Sequence, residues 1–137
     1  MSDTVSLVDY YYTMVPDKPG EGARVLGALR DAGVNLQAFS AFPEARRAQL
    51  DFLPSDAAAF VAVAKAAKIK VKGPKKAFLI NGDDRVGAVA GICEKLGSAK
   101  INITAVDAVC AGAGRFGAIL WVKPRDVKKA AAVLGVM

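Results

Sequence analysis

Asp17, Gly20 and Asn35 return as Asp84, Gly87 and Asn102, each 67 residues further along a chain of 137. Each set joins a carboxylate, a residue without a side chain and an amide. Where such a glycine opens a helix, the unsatisfied N–H groups of the first turn and their partial positive charge suit a carboxylate ligand. Glycine leaves the backbone open to close approach. An asparagine beside it offers donors and an acceptor, and so reads an ammonium and a carboxylate together. This is chemistry for holding a zwitterion.

Chemistry for transforming one is missing. The chain has no histidine, which removes most zinc sites, every Ser-His-Asp or Cys-His arrangement and the commonest general base. The two cysteines, Cys93 and Cys110, are too few and too far apart for a CxxC metal or redox motif. No catalytic residue, metal ligand or cofactor is assigned, and the chain is read as a non-enzyme. Gly112-Ala113-Gly114-Arg115-Phe116-Gly117 spells GxGxxG. A dinucleotide site needs that motif between a strand and a helix, whereas here it joins two strand-like runs and reads as a hairpin turn.

The elements that position the repeated residues repeat too. The same offset sets Leu29 on Leu96 and Leu53 on Leu120, with matching alanines at 23 and 90, 32 and 99, 38 and 105, and 41 and 108. Val5 to Val15 alternates and is rich in β-branched and aromatic residues, so it reads as a strand, and Lys76 to Asn81 is its counterpart. Asp17 is placed to cap the following helix and Pro19 suits its first turn. Gly22, Leu26, Leu29 and Gly33 fall at helical spacing, as do Val89, Cys93 and Leu96. Gly33 and Gly97 stand where a helix end favours a left-handed residue. Strands are expected at Asn35 to Phe42, Ala48 to Leu53, Ile103 to Cys110 and Gly117 to Val122. Ser55-Asp56 caps a second helix, Ala57 to Lys68, and Pro124 opens its equivalent, Arg125 to Leu134.

The first half closes with a short strand, Ile69 to Lys72, and Gly73-Pro74 reads as a linker. The expected architecture is α+β: two tandem ferredoxin-like βαββαβ units, 1–73 and 74–137, with antiparallel sheets and helices on one face. The second unit lacks its last strand, because the sequence stops where that strand would start. Such a loss leaves an open edge, and open edges are paired or covered. Either a partner chain or the long N-terminal strand is expected to cover it.

Apolar residues make up 53% of the chain and charged ones 23%, which places it among globular proteins rather than disordered ones. No apolar run reaches the roughly 18 residues of a membrane span, so no membrane role is expected. The N-terminus lacks the basic and apolar regions of a signal peptide, and a cytoplasmic location is expected.

Asp17-x-Pro19-Gly20, a helix and then Gly33-Val34-Asn35 resemble the signature of ACT domains. Asp84-x-x-Gly87 and Ile101-Asn102-Ile103-Thr104 resemble it again. The resemblance implies a regulatory, allosteric module that binds an amino acid or related small molecule. It implies pairing of units side by side through their second strands, hence a homodimer, and a regulated protein partner. By the same resemblance, ligand contacts fall at the seam between units. They are Asp17, Pro19, Gly20, Val34 and Asn35 in the first, and Asp84, Gly87, Ile101 and Asn102 in the second. Val86 replaces Pro19 and Lys100 replaces Gly33 in the second repeat, so the first matches the family better.

Two other readings use the same elements. RNA-recognition motifs share the βαββαβ order and stack bases on aromatics of the first and third strands. Phe78-Leu79-Ile80-Asn81 and Arg115-Phe116-Gly117-Ala118-Ile119 resemble those strands, and the net charge is +6. Ala118 stands where a stacking ring belongs, however, and Gly114-Arg115 reverses the required order, which argues against nucleic acid. The lysines at 65, 68, 70, 72, 75 and 76 read as a solvated helix end and linker. The third reading is a ligand-free assembly module whose seam serves only pairing.

Overall fold

A computed structural model describes residues 3–136; the expected outer bounds at 1 and 137 lie outside them. Among the described residues, six strands and four α-helices make an α+β fold. In chain order they are β1 (Thr4–Pro16), α1 (Glu21–Asp31), β2 (Leu36–Glu44), β3 (Arg47–Pro54), α2 (Ala57–Ala66), β4 (Lys72–Asp83), α3 (Ala88–Ser98), β5 (Ile103–Gly112), β6 (Arg115–Val122) and α4 (Val127–Leu134). A 3₁₀ turn, Pro124–Asp126, leads into α4.

The chain divides into two compact units, and the division differs from the one expected at residue 73. One unit runs from Asp9 to Lys75, while residues through Val8 belong with Lys76 onward. Two strands are therefore shared out. The trailing half of β1 and the first residues of β4 serve one unit; the leading half of β1 and the rest of β4 serve the other. Gly73-Pro74 lies inside β4 and is not a linker.

In the 9–75 unit, β3 lies between β2 and β1 and pairs antiparallel with each, Tyr11 facing Phe52 and Phe39 facing Phe52 across the two joints. Tyr11, Val15, Leu50 and Phe52 form one buried face with Val25 and Leu29 of α1 and Phe60 of α2. Phe52 and Phe60 stand 5.2 Å apart between ring centroids. Asp56 caps α2 as expected, its carboxylate accepting from the Ala59 N–H at 3.1 Å.

In the other unit, β6 pairs antiparallel with β4 and β5. Phe116, Ala118, Leu120 and Val122 of β6 join Phe78 and Ile80 of β4, Ile92 and Leu96 of α3, and Ala130 and Leu134 of α4 in one core. Val5 and Leu7, from the leading half of β1, pack against that core. Beyond β6, β4 has β1 as its hydrogen-bonded neighbour. The edge expected to be open is thus covered by the N-terminal strand. β5 ends the strand order and carries exposed Val106 and Val109.

The GxGxxG run is the expected hairpin turn: β5 ends at Gly112, β6 starts at Arg115, and Ala113 and Gly114 both have positive φ. Positive φ at both central residues gives the tight turn whose twist matches the flanking strands. Ala45 and Arg46 do the same between β2 and β3. Phe78 and Phe116, the rings an RNA-recognition motif would offer to bases, are 1% and 4% exposed and belong to the core beneath the helices.

Asp51 is 4% exposed on β3, with the Gln49 amide donating to it at 2.9 Å. Burial pushes its carboxyl above the ordinary carboxylate range, against the pull of that hydrogen bond and of Lys75. A carboxyl raised in the folded state contributes stability that is complete below its unfolded pKa and lost as pH rises through the folded one. Asp51→Asn is therefore expected to match or exceed the parent at neutral pH and to flatten that decline. Urea midpoints from about pH 4 to about pH 8 measure it. A variant less stable than the parent by over about 1 kcal/mol at neutral pH would show that the charge is held favourably.

Candidate functional site

The start of α3 is built by local chemistry. Gly87, with φ 79°, is its N-cap, and no side chain caps the helix. The Asp84 N–H donates to the Gly114 carbonyl at 2.8 Å, tying the loop to the β5–β6 turn. This lays the loop beside β5 and leaves a cleft of about 300 Å³. Its walls are Asp84, Arg85 and Gly87, the first turn of α3, Ala108 to Cys110 of β5, and Phe116.

Charge in the cleft is fixed by a chain of contacts. Arg85 crosses the Phe116 ring at 5.9 Å and donates from both terminal nitrogens to the Asp3 carboxylate, at 3.0 and 3.1 Å. It also donates to the Asp83 carbonyl at 2.8 Å. The Asp83 side chain accepts from Arg115 at 2.8 Å, and Arg115 donates in turn to the Asn81 side chain at 2.7 Å. The hydrogen bonds from Arg85 hold the Asp3 carboxyl below the usual carboxylate range, and Asp3 raises Arg85 further. Next to Arg85 in the loop, the Asp84 carboxylate, hydrogen-bonded by the exposed Cys110 thiol of β5, pushes that thiol up.

Among the residues singled out in sequence, Asp84 and Gly87 line this cleft. Ile101 does not: it is 4% exposed in the core, and its N–H donates to the Leu96 carbonyl at 2.9 Å. Asn102 is exposed just ahead of β5, outside the cleft's walls. In the other unit Asp17, Pro19 and Gly20 are exposed in the loop before α1. The N-cap of α1 is Gly20, with φ 90° and no side-chain cap, so Asp17 does not fill the capping role expected for it. Val34 is half-buried against the core, and Asn35 is exposed, its carbonyl accepting from the Ser55 N–H at 3.1 Å.

Both first helices end alike. Gly33 has φ 76° and Lys100 φ 61°, and the next N–H in each case reaches back to Leu29 or Leu96 at 2.9 Å. The left-handed residue after α3 is thus Lys100, while Gly97 lies within the helix. Arg85, Phe116, Cys110 and Asp3 complete the site without having been singled out for it. Arg85 stood in plain view in Asp83-Asp84-Arg85, but its partner Asp3 is 82 positions away.

Among the described residues, no group of three or more His, Cys, Asp or Glu gathers as for a metal, and no helix is long and apolar enough to cross a membrane. No protein-family model and no curated protein sequence matches the chain. Solved structures do. A protein of Bacteroides thetaiotaomicron superposes with a TM-score of 0.82 at 18% identity, over 96% of this chain and 88% of that one. The regulatory subunit of aspartate kinase from Thermus thermophilus, in its ligand-free form, gives 0.67 at 17% identity over 98% and 96%. The same subunit from Thermus flavus gives 0.63 at 18% over 98% and 95%. Alike over nearly the whole length of each partner, the chain has the fold of ACT-type regulatory domains.

Proposed function

We propose that the chain is a non-catalytic regulatory module, two ferredoxin-like units in tandem, that binds a small amino acid in the cleft at the start of α3. The observation that carries this reading is the cleft itself: about 300 Å³ of space against a helix start that no side chain caps. That volume lies at the small end for ligand pockets. The Ala88 N–H donates to the Arg85 carbonyl at 3.3 Å, and the N–H groups of Val89 and Ala90 that follow it in the first turn take the carboxylate. Asp84 takes the ammonium, and Val89, Val109 and Phe116 give an apolar side chain a surface. The aspartate kinase regulatory subunits of the same fold support the regulatory part.

Contacts were expected in both repeats, the first matching the family signature better; this reading keeps only those of the second that line the cleft, Asp84 and Gly87. The test is thermal unfolding of the parent and of Gly87→Val against the twenty amino acids. A ligand at 100 times its dissociation constant is expected to stabilise the parent by about 2.7 kcal/mol. Valine at φ 79° is strained by roughly 1–3 kcal/mol and crowds the helix start, so the variant melts earlier and loses the response. Gly87→Ala, less strained, keeps the comparison open if the valine variant fails to fold. A parent that answers to none of the twenty at millimolar concentration removes the reading.

A further inference from the structure

Among the described residues Arg85 is the one cation in the cleft's walls, and its guanidinium already holds a carboxylate of the same chain. The Asp3 side chain, 15% exposed, engages it with both oxygens. The backbone makes room for this. A Cβ at Gly82 would run into the Asp3 carboxylate and come within 2.9 Å of the Phe116 ring that Arg85 crosses. Asp3 sits at the head of β1, so the strand that completes this unit's sheet also delivers the counter-charge.

We infer that Asp3 is a positioning residue that sets the cleft's charge preference: by occupying Arg85 it excludes ligands with a second carboxylate and keeps the site for amino acids with uncharged side chains. The inference rests on the reading of the cleft as a ligand site. With Arg85 neutralised, the remaining fixed charge on the walls is Asp84, which matches an ammonium. The helix start matches one carboxylate. A further anion finds no unpaired cation among the described walls. Freed of Asp3, Arg85 offers a bidentate donor pair, the geometry that suits a side-chain carboxylate.

Cys110 lines the same cleft and is exposed, so it reports the local charge without a natural ligand. The full chain is alkylated with iodoacetate, an anion, and with neutral iodoacetamide, and the rate at Cys110 is read by peptide mass, separately from Cys93. The ratio of the two rates cancels changes in thiol ionisation and access. Asp3→Asn is expected to raise the ratio roughly two- to fivefold, the size of one unit charge acting across a solvated cleft. Added salt shrinks the effect. Arg85→Gln lowers the ratio, the double variant returns it to the parent's, and Asp3→Glu restores it.

An unchanged ratio in Asp3→Asn overturns the inference, whether or not any amino acid binds. The ligand arm uses the same variant: Asp3→Asn is expected to gain a thermal response to aspartate or glutamate that the parent lacks. A parent stabilised by aspartate or glutamate as strongly as by uncharged amino acids also overturns it. If the parent answers to no amino acid while the ratio moves as expected, the ligand reading falls and the charge masking stands.

Discussion

A chain that begins at Asp9 is expected to lose the cooperative unfolding of the unit formed by residues 76–136. What it lacks is the strand next to β4 on the side away from β6. Val5 and Leu7 pack half-buried against the core of this unit, and each is worth about 1–2 kcal/mol at that depth. Several strand hydrogen bonds go with them, at about 0.5–1.5 kcal/mol apiece. The Asp3–Arg85 pair goes too, adding little because Arg85 is well exposed. A loss on the order of 3–6 kcal/mol is comparable to the whole stability of a small domain. It also uncovers a row of unpaired backbone groups along β4, an invitation to aggregate. Trp121, the only tryptophan, is 7% exposed in this same unit, so its fluorescence during urea unfolding reports on the affected half. An unchanged midpoint and slope would show that the leading half of β1 does not hold the unit together.

Which features were legible in sequence follows from how local their causes are. Alternation marked β1, helical spacing marked α1 and α3, and Asp56 and Pro124 marked the starts of the other two helices, because each signal depends on residues a few positions apart. The short strand expected at Ile69 to Lys72 does not form, since strand pairing begins only at Lys72, within β4. The hairpin at 112–115 was legible because glycine announces positive φ; the one at Ala45-Arg46 was not, since neither residue does. Gly97 looked like a helix end for the same reason that Lys100 did not, yet Lys100 takes the left-handed conformation. The register of the backbone bonds decides it, with Ile101 closing on Leu96 as Val34 closes on Leu29. The sharing of β1 and β4 between units lay beyond local reading: a long strand shows in sequence, but its division depends on partners seventy residues away. Asp84 and Gly87 were legible as the loop that opens a helix, because a helix start is local. That a cleft lies beside the second of these loops was not, since its other walls are Phe116 and residues 108–110, far along the sequence.

Gly73→Ala is expected to be among the most damaging single-methyl additions to this chain, although Gly73 reads as half of a linker. Its φ is 130°, a conformation that side chains rarely adopt. The added Cβ would lie 2.8 Å from the Tyr10 carbonyl oxygen and 3.3 Å from the Tyr11 Cα, with the Tyr11 ring at 3.0 Å. Backbone atoms of β1 have nowhere to retreat: Tyr11 is 7% exposed, its ring 5.2 Å from that of Phe60, and it pairs with Phe52 on β3. Backbone strain of roughly 1–3 kcal/mol and overpacking of roughly 1–3 kcal/mol act together. The expected loss is about 2–5 kcal/mol in a urea or thermal titration. Gly91→Ala is the matched contrast, a helix-interior glycine with open space around its missing Cβ and no positive φ. There alanine is expected to stabilise by about 0.5–1 kcal/mol. Opposite signs from one methyl group at two glycines separate close approach from conformational freedom. A Gly73→Ala protein within about 0.5 kcal/mol of the parent, the range of neutral surface changes, would mean that β4 does not press against β1 at Tyr10 and Tyr11.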